Sequence, residues 1–315
     1  MQSPVPSPSA QPSSIRLAHV SDPHLSSLND VRFGQLINKR VLGYLSWRIR
    51  RRREHRPEVL RRLGLDLAAA APHHILITGD LTHVGLPSEC REGAAWLGEL
   101  GSPQKVTLVP GNHDSYVAAP WAETAGLWQP YMQGDIAQQP ADRFPFLRRR
   151  GPVGVIGLST AVPTAPFFAT GNLGPAQLEA LARMLAALRD EGLFRVVLLH
   201  HPPVDAVTSF RRRLIDAAAF RGVIREHGAE LVLHGHAHRW VRSAIAADGG
   251  DVPVFGIPSG SALSADPARR AGYSLIDVAR SAAGWEVRVS RRRLDAAGNA
   301  FETCGEESFG APGPA

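Results

Sequence analysis

The chain is poor in cysteine and has no long apolar run. Its 315 residues include only Cys90 and Cys304, which lie far apart and outside any metal-binding spacing. A disulfide framework is therefore excluded, and a reducing compartment is favoured. No apolar segment approaches the roughly 20 residues that a membrane-spanning helix needs. We therefore expect a cytoplasmic protein, with peripheral contact to the inner membrane as the remaining option.

Lysine is also scarce, because Lys39 and Lys105 are the only two in a chain with 35 lysines and arginines. The formal charge is +6. Such a charge permits contact with nucleic acid or anionic lipid but does not establish either.

The two ends lack the apolar periodicity of folded segments. Residues 1–14 are rich in Pro, Ser and Gln, and they have neither the basic nor the apolar region of a signal peptide. The other end contains several glycines and prolines. We predict disordered tails at 1–14 and 303–315, on either side of one domain at 15–302.

Within that domain, short apolar runs first alternate with helical patterns and later follow one another directly. This order predicts parallel βα units followed by an antiparallel sheet. Strands are predicted to begin at Ile15, Ile75, Val106, Val153, Val196 and Leu231. Helices are predicted over 57–71, 87–100, 175–191 and 211–227. Residues 115–150 show no regular period, which predicts a cap-like excursion of loops and helices over the core.

A basic insert at residues 31–56 separates the first strand from the first of these helices. Ile37, Val41, Leu45 and Ile49 recur at a spacing of four, which predicts one apolar stripe on a helix. Trp47 and four consecutive arginines, 50–53, follow. The insert is either an elaboration packed on the core or a surface helix that contacts anionic lipid or a phosphorylated substrate. Nucleic-acid binding is the weaker option, because aromatic residues are sparse.

Polar clusters follow five of the predicted strands. Ligands of open α/β sheets bind at the carboxyl ends of strands, so clusters that are distant in sequence can converge there. Carboxylate, amide and imidazole groups suit Mn, Fe or Zn, and seven of them are too many for one ion with an open position. They suit two neighbouring ions that share a carboxylate. The seven residues are Asp22, His24, Asp80, Asn112, His200, His236 and His238.

The order of these clusters resembles the calcineurin-like metallophosphoesterase family. The family pattern is Asp-x-His, Gly-Asp, Gly-Asn-His-Asp/Glu, His, then Gly-His-x-His. Here the blocks are 22–24, 79–80, 111–114, His200 and 235–238. The resemblance implies a four-layer α/β/β/α sandwich with two mixed sheets and two divalent metal ions. The runs at 78–82 and 200–203 look like its class III cyclic nucleotide phosphodiesterase and glycerophosphodiesterase branch.

The resemblance also implies roles for single residues. One ion would bind Asp22, His24 and His238, and the other would bind Asn112, His200 and His236, with Asp80 between the ions. His113 would be the general acid for the leaving group, and a metal-bridging hydroxide would attack the phosphorus. His83 departs from the pattern, since many members have an aspartate at that position. We expect His83, His201 and Asp114 to line the substrate pocket or to support the ligands.

The resulting expectation is a phosphodiesterase that hydrolyses a P–O ester bond of a small or lipid-linked substrate. The alternatives are a pyrophosphate hydrolase of a nucleotide-linked lipid at a membrane surface and, outside catalysis, a metal-binding scaffold or adaptor.

Overall fold

The computed structural model describes residues 14–25, 27–29, 31–136 and 143–313. Most of the predicted N-terminal tail, residues 1–13, lies outside this part of the chain. Ser14 already belongs to the first strand. Every helix in the described ranges is too short or too polar to cross a membrane.

The first sheet has six strands and combines the two ends of the domain. Its order is β12-β11-β10-β1-β2-β3. The first three strands of the chain pair in parallel, and the last three form an antiparallel meander that joins β1 through β10. The strands are β1 (Ser14–Val20), β2 (His74–Ile77), β3 (Val106–Leu108), β10 (Gly272–Ser281), β11 (Gly284–Leu294) and β12 (Phe301–Pro312).

The second sheet also has six strands, in the order β4-β5-β6-β7-β9-β8. Its four central strands are parallel, and its two edge strands run antiparallel to their neighbours. The strands are β4 (Phe146–Arg150), β5 (Val153–Gly157), β6 (Phe194–Leu198), β7 (Leu231–His234), β8 (Val241–Ile245) and β9 (Val252–Gly256).

In the part of the chain that the structure describes, six α-helices accompany the sheets. Proline occupies the first turn of three of them, where its missing N–H costs nothing. The helices are α1 (Arg40–Ser46), α2 (Arg52–Glu54), α3 (Pro57–Ala70), α4 (Pro87–Leu100), α5 (Pro175–Asp190) and α6 (Ala217–His227).

The two sheets face each other across one core. Val196 and Leu198 of β6 join α3, α4 and the first sheet in the larger apolar cluster. Val197, between them, joins α5 and α6 in the second cluster. Alternate residues of a strand point to opposite faces, so β6 is covered on both sides. The predicted four-layer α/β/β/α architecture is therefore confirmed.

The basic insert is helical as predicted, but its apolar stripe faces outward. The chain runs through α1, a π-helical turn at Trp47–Arg51 and α2. Trp47 is buried with Leu28, Val84 and Leu86 beside the main core. The stripe residues on the opposite side are exposed, at 73% for Ile37 and 74% for Ile49. The stripe is therefore not packed on the core.

Three predictions about segment boundaries are wrong. The tail predicted at 303–315 is mostly strand, because residues 301–312 pair along β11 and Phe309 packs against the core. The excursion predicted at 115–150 ends in β4, which hydrogen-bonds to β5. The helix predicted over 211–227 begins only at Ala217, since the preceding residues turn and bridge to Gly171. The two missed strands are β12, which contains glycine, and β4, which is rich in arginine, and neither composition is typical of a strand.

Candidate active site

All seven predicted ligand residues lie together at the carboxyl ends of strands. They follow β1, β2, β3, β6 and β7, so each sheet contributes to one edge of the sandwich. Hydrogen bonds join the segments, because Asp22 N–H donates to the Gly79 carbonyl and His236 N–H donates to Asp22 Oδ2 at 3.0 Å. Packing of the two sheets against each other thus brings residues 22 and 236 into direct contact.

The backbone at these strand ends is strained. Five of the seven residues have positive φ: Asp22 (51°), His24 (42°), Asp80 (58°), His236 (64°) and His238 (49°). Residues with a side chain adopt this left-handed region at a cost, and such residues cluster at functional sites. These turns direct the side chains of the ligand residues toward one another.

Gly111 makes the approach of the third strand end physically feasible. A Cβ at this position would collide with the carboxylate of Asp80. Glycine is therefore required where the segment after β3 passes Asp80, and His113 N–H then donates to Asp80 Oδ1 at 2.7 Å. The motif Gly-Asn-His-Asp supplies both the space and the polar groups.

The first ligand group contains Asp22, His24, Asp80 and His238. Its candidate ligand atoms all lie within 4.8 Å of one another. Asp22 Oδ1 is 3.0 Å from His238 Nε2, which in turn is 3.5 Å from His24 Nε2. Burial disfavours the charged Asp22 carboxylate, but His238, together with His200 and His24, outweighs this effect and lowers the pKa of Asp22 well below its usual range.

The second group contains Asp80, His200 and His236, with Asn112 beside them. His200 Nε2 lies 3.3 Å from Asp80 Oδ2, 3.2 Å from Asn112 Oδ1 and 3.2 Å from His236 Nδ1. Burial lowers the pKa of His200, yet the Asp80 carboxylate prevails and raises it to about 9. Asp80 belongs to both groups, as the predicted bridging residue should.

The tautomers fit metal ligands. His24 and His200 each place Nδ1 against a backbone carbonyl, of Thr82 at 2.8 Å and of Thr78 at 2.6 Å, and His236 places Nε2 against the Arg212 carbonyl at 2.9 Å. A carbonyl can only accept, so in each neutral ring the other nitrogen directs a lone pair into the cluster. When the rings are neutral, lone pairs and carboxylates that face one another at such distances can share a cation. The residues therefore fit two divalent ions.

His113 is held between two partners. Its Nδ1 lies 2.5 Å from the carbonyl of His83, and its Nε2 lies 2.9 Å from Arg51 Nη1. Because a guanidinium only donates, the proton of His113 is on Nδ1 and Nε2 accepts. Burial, followed by Arg51, lowers the pKa of His113 well below its usual range. Its role as general acid stays a prediction.

The three residues predicted to support the site take different positions. The Asp114 carboxylate accepts N–H groups of Asp80, Thr82 and Gly111, so it ties two strand ends together. His201 contacts Thr160 Oγ1 at 2.7 Å, and its ring centre lies 4.4 Å from that of His236. The His83 ring stacks on His24 at 5.1 Å.

Two residues of the basic insert reach this site without having been predicted to do so. His55 is buried, and its ring centre lies 4.5 Å from that of His24. His55 Nδ1 contacts Ser261 Oγ at 2.8 Å, which fixes the end of the insert to the loop after β9. Arg51 contacts His113. Neither residue belongs to a motif, so no sequence signal distinguished them from the neighbouring arginines.

A cavity of about 390 Å³ opens over the cluster. Asp80, Asn112, His236 and His238 form part of its lining. Its walls come from the insert, from the segments 207–212 and 236–239, and from Ala169 and Arg269. They carry five arginines: Arg50, Arg51, Arg212, Arg239 and Arg269. A cluster of candidate metal ligands below several guanidinium groups suits an anionic ligand, and phosphate matches the fork of arginine.

Comparisons with known proteins agree with this geometry. A family model described as calcineurin-like phosphoesterase matches residues 15–240. A protein of Rhodococcus erythropolis, named probable cyclic nucleotide phosphodiesterase, is 28% identical over 227 residues, which is 70% of this chain. The chain spans 64% of the length of that relative. A protein of Synechococcus with a similar name is 27% identical over 68% of this chain and 74% of its own length.

The fold also matches a solved structure. A dimetal phosphatase from Danio rerio superimposes with a TM-score of 0.56 over 92% of this chain and 98% of its own. The two sequences are 12% identical. This likeness concerns the fold.

Proposed function

This chain belongs to the calcineurin-like phosphoesterase family, and we propose that it is a two-metal phosphodiesterase that hydrolyses a P–O ester bond. The observation that carries the proposal is the pair of ligand groups that share Asp80 at the base of an arginine-lined cavity. Two divalent ions held there would supply an activated water and neutralise charge on the phosphoryl group. The oxygen and imidazole donors suit Mn, Fe or Zn.

The chain's own residues bind and orient the substrate. Arg51 and Arg212 line the cavity on different segments, and both can donate to phosphoryl oxygens. The Arg51 guanidinium contacts His113, the predicted general acid, at 2.9 Å. A phosphoryl group in the cavity would compete with His113 for the Arg51 guanidinium. Once Arg51 no longer donates to His113 Nε2, that nitrogen would face the substrate.

The names of the two relatives support a phosphodiester substrate rather than a monoester. The test is hydrolysis of bis(p-nitrophenyl) phosphate by chelator-treated protein before and after addition of Mn²⁺, with p-nitrophenyl phosphate for comparison. We expect metal-restored turnover that is faster for the diester. Loss of metal binding together with absence of turnover under Mn²⁺, Fe²⁺ and Zn²⁺ would overturn the proposal. Metal binding without turnover would favour the scaffold alternative.

A substrate panel then refines the class. Cyclic nucleotides and glycerophosphodiesters test the main proposal, and nucleotide-linked lipid pyrophosphates test the second candidate. One observation favours that candidate, namely the exposed apolar stripe of the insert beside the cavity. Cleavage of the pyrophosphate in preference to every phosphodiester would make it the correct assignment.

A further inference from the structure

The mouth of the cavity is surrounded by exposed apolar side chains. Each lies within two residues of a residue that lines the cavity. Leu45 and Ile49 adjoin Ser46 and Arg50, Phe167 and Phe168 precede Ala169, and Phe210 follows Ser209. Their exposed fractions are 47% for Leu45, 74% for Ile49, 73% for Phe167, 36% for Phe168 and 65% for Phe210.

These residues come from three segments that are held together. Lys39 Nζ, at the start of α1, donates to Thr164 Oγ1 at 2.7 Å and to the Phe168 carbonyl at 3.1 Å. Ala169 N–H donates to the Arg211 carbonyl. The insert is thereby linked to the loop 164–171, and that loop is linked to the segment 208–213. We call the apolar residues at the mouth, together with Phe33, Ile37 and Val41, the rim face.

The orientation of α1 shows that this exposure is built in. Gly43 and Trp47 are buried, and a Cβ on Gly43 would collide with Val84 and Tyr116. On a helix with 3.6 residues per turn, Val41 and Leu45 project from the side opposite to these buried positions. The insert therefore uses one side to dock on the domain and presents apolar residues on the other.

Basic groups surround the rim face. The insert 31–56 contains nine arginines and lysines and one acid, Glu54. Arg48, Arg52 and Arg53 are exposed there, and the segment 211–213 adds three exposed arginines. Arg213 lies over the Phe210 ring at 4.0 Å. Exposed apolar side chains within a field of arginine match an anionic bilayer surface, where apolar groups insert among the acyl chains and guanidinium groups meet phosphate.

We propose that the rim face docks the protein on anionic membranes, with the mouth of the cavity turned toward the lipid headgroups. A neutral partner protein would not use the arginines. A second copy of this chain would bring two strongly basic inserts together. The charge of the rim face thus favours the lipid surface over both.

The test is co-sedimentation of the full chain with vesicles of phosphatidylcholine alone or with a quarter of phosphatidylglycerol. We expect binding to the anionic vesicles, weakened by salt. The double variant Ile49→Gln with Phe167→Gln should bind about tenfold more weakly, since it removes two inserting side chains. Leu65→Gln is the matched control, because Leu65 on α3 is 60% exposed and lines a different cavity.

The outcomes separate the alternatives. Equal sedimentation of the parent chain with both vesicle types would overturn the proposal, as would unchanged binding by the double variant. Light scattering of the parent and double variant tests self-association: a dimer that only the parent forms, without vesicle binding, would assign the rim face to a second copy. Hydrolysis of bis(p-nitrophenyl) phosphate should be unchanged in the double variant, which shows that the active site is folded.

Discussion

The strand-end cluster and the basic insert line the same cavity, but they are held in opposite ways. Six of the seven cluster residues are buried and His238 is partly buried, and backbone carbonyls fix the rings of His24, His200 and His236. The insert is anchored at a few points, through Trp47, Arg51 and His55, and its outer side is exposed. Rigid strand ends can fix the geometry of the metal ions, whereas a separately attached helix can add contacts to substrate or lipid without disturbing that geometry.

The strongest way to break the cluster is to change the shared ligand. Asp80→Asn keeps the shape of the side chain but removes a charge that both ligand groups use. We expect phosphodiester turnover to fall by about a thousandfold or more, and bound metal to decrease, while the circular dichroism spectrum is retained. Asp277→Asn is the control, because this carboxylate pairs with Arg16 at 2.7 Å in the same sheet. Normal turnover by Asp80→Asn would contradict the bridging role.

The insert's part in catalysis depends on Arg51. Arg51→Ala should lower kcat/KM by roughly 10- to 100-fold with little loss of bound metal, because it removes a phosphate donor and no ligand. Arg51→Lys should recover part of the rate. Arg48→Ala is the matched control, since Arg48 is exposed on the same helical segment. If both alanine variants keep the parental kinetics, the insert does not bind the reacting phosphate.

A smaller effect, on metal affinity, is expected when a contact that orients a ligand ring is removed. His83 stacks on His24, so His83→Asn should weaken metal binding about tenfold by loosening that ring. Metal titration of chelator-treated protein measures the change. His227→Asn, at the end of α6, should bind metal as the parent does. Unaltered metal affinity in His83→Asn would show that the contact between His24 and the Thr82 carbonyl is sufficient to orient the His24 ring.

The smallest expected effect is on the pH dependence of stability, and it involves β2, the strand that precedes Asp80. His74 on β2 contacts Thr107 Oγ1 at 2.6 Å, and burial, followed by Arg150, lowers its pKa to about 3. The unfolded chain therefore binds the proton more readily. This contribution to stability is complete above about pH 6.5 and is lost as pH falls toward 3. His74→Asn should remove up to about 1.4 kcal/mol per pH unit of that dependence. Urea unfolding of both proteins at pH 7.5 and 5 measures the pH dependence of the free energy of unfolding. An identical pH dependence in the variant would contradict the expectation.

Sequence periodicity predicted most of the fold because most elements have a strong local pattern. The helix predicted at 87–100 has those bounds in the structure. Strand β12 was missed because its glycines, proline and charges resemble a tail, and it is stabilised by the ladder to β11 and by packing of Phe309 against the core. Strand β4 was missed for a related reason, since three of its five residues are arginines. Burial of Arg148 against backbone carbonyls is a tertiary effect.

The sequence by itself determined the chemistry of the cluster. Seven side chains after five apolar runs indicate convergence, because parallel strands place their carboxyl ends at one edge. Only the tertiary structure decided what surrounds that cluster. It placed Arg51 on His113 and His55 beside His24, and it turned the apolar stripe away from the core. Periodicity specifies that a helix has an apolar side, whereas packing against Val84 and Tyr116 determines which side meets the domain.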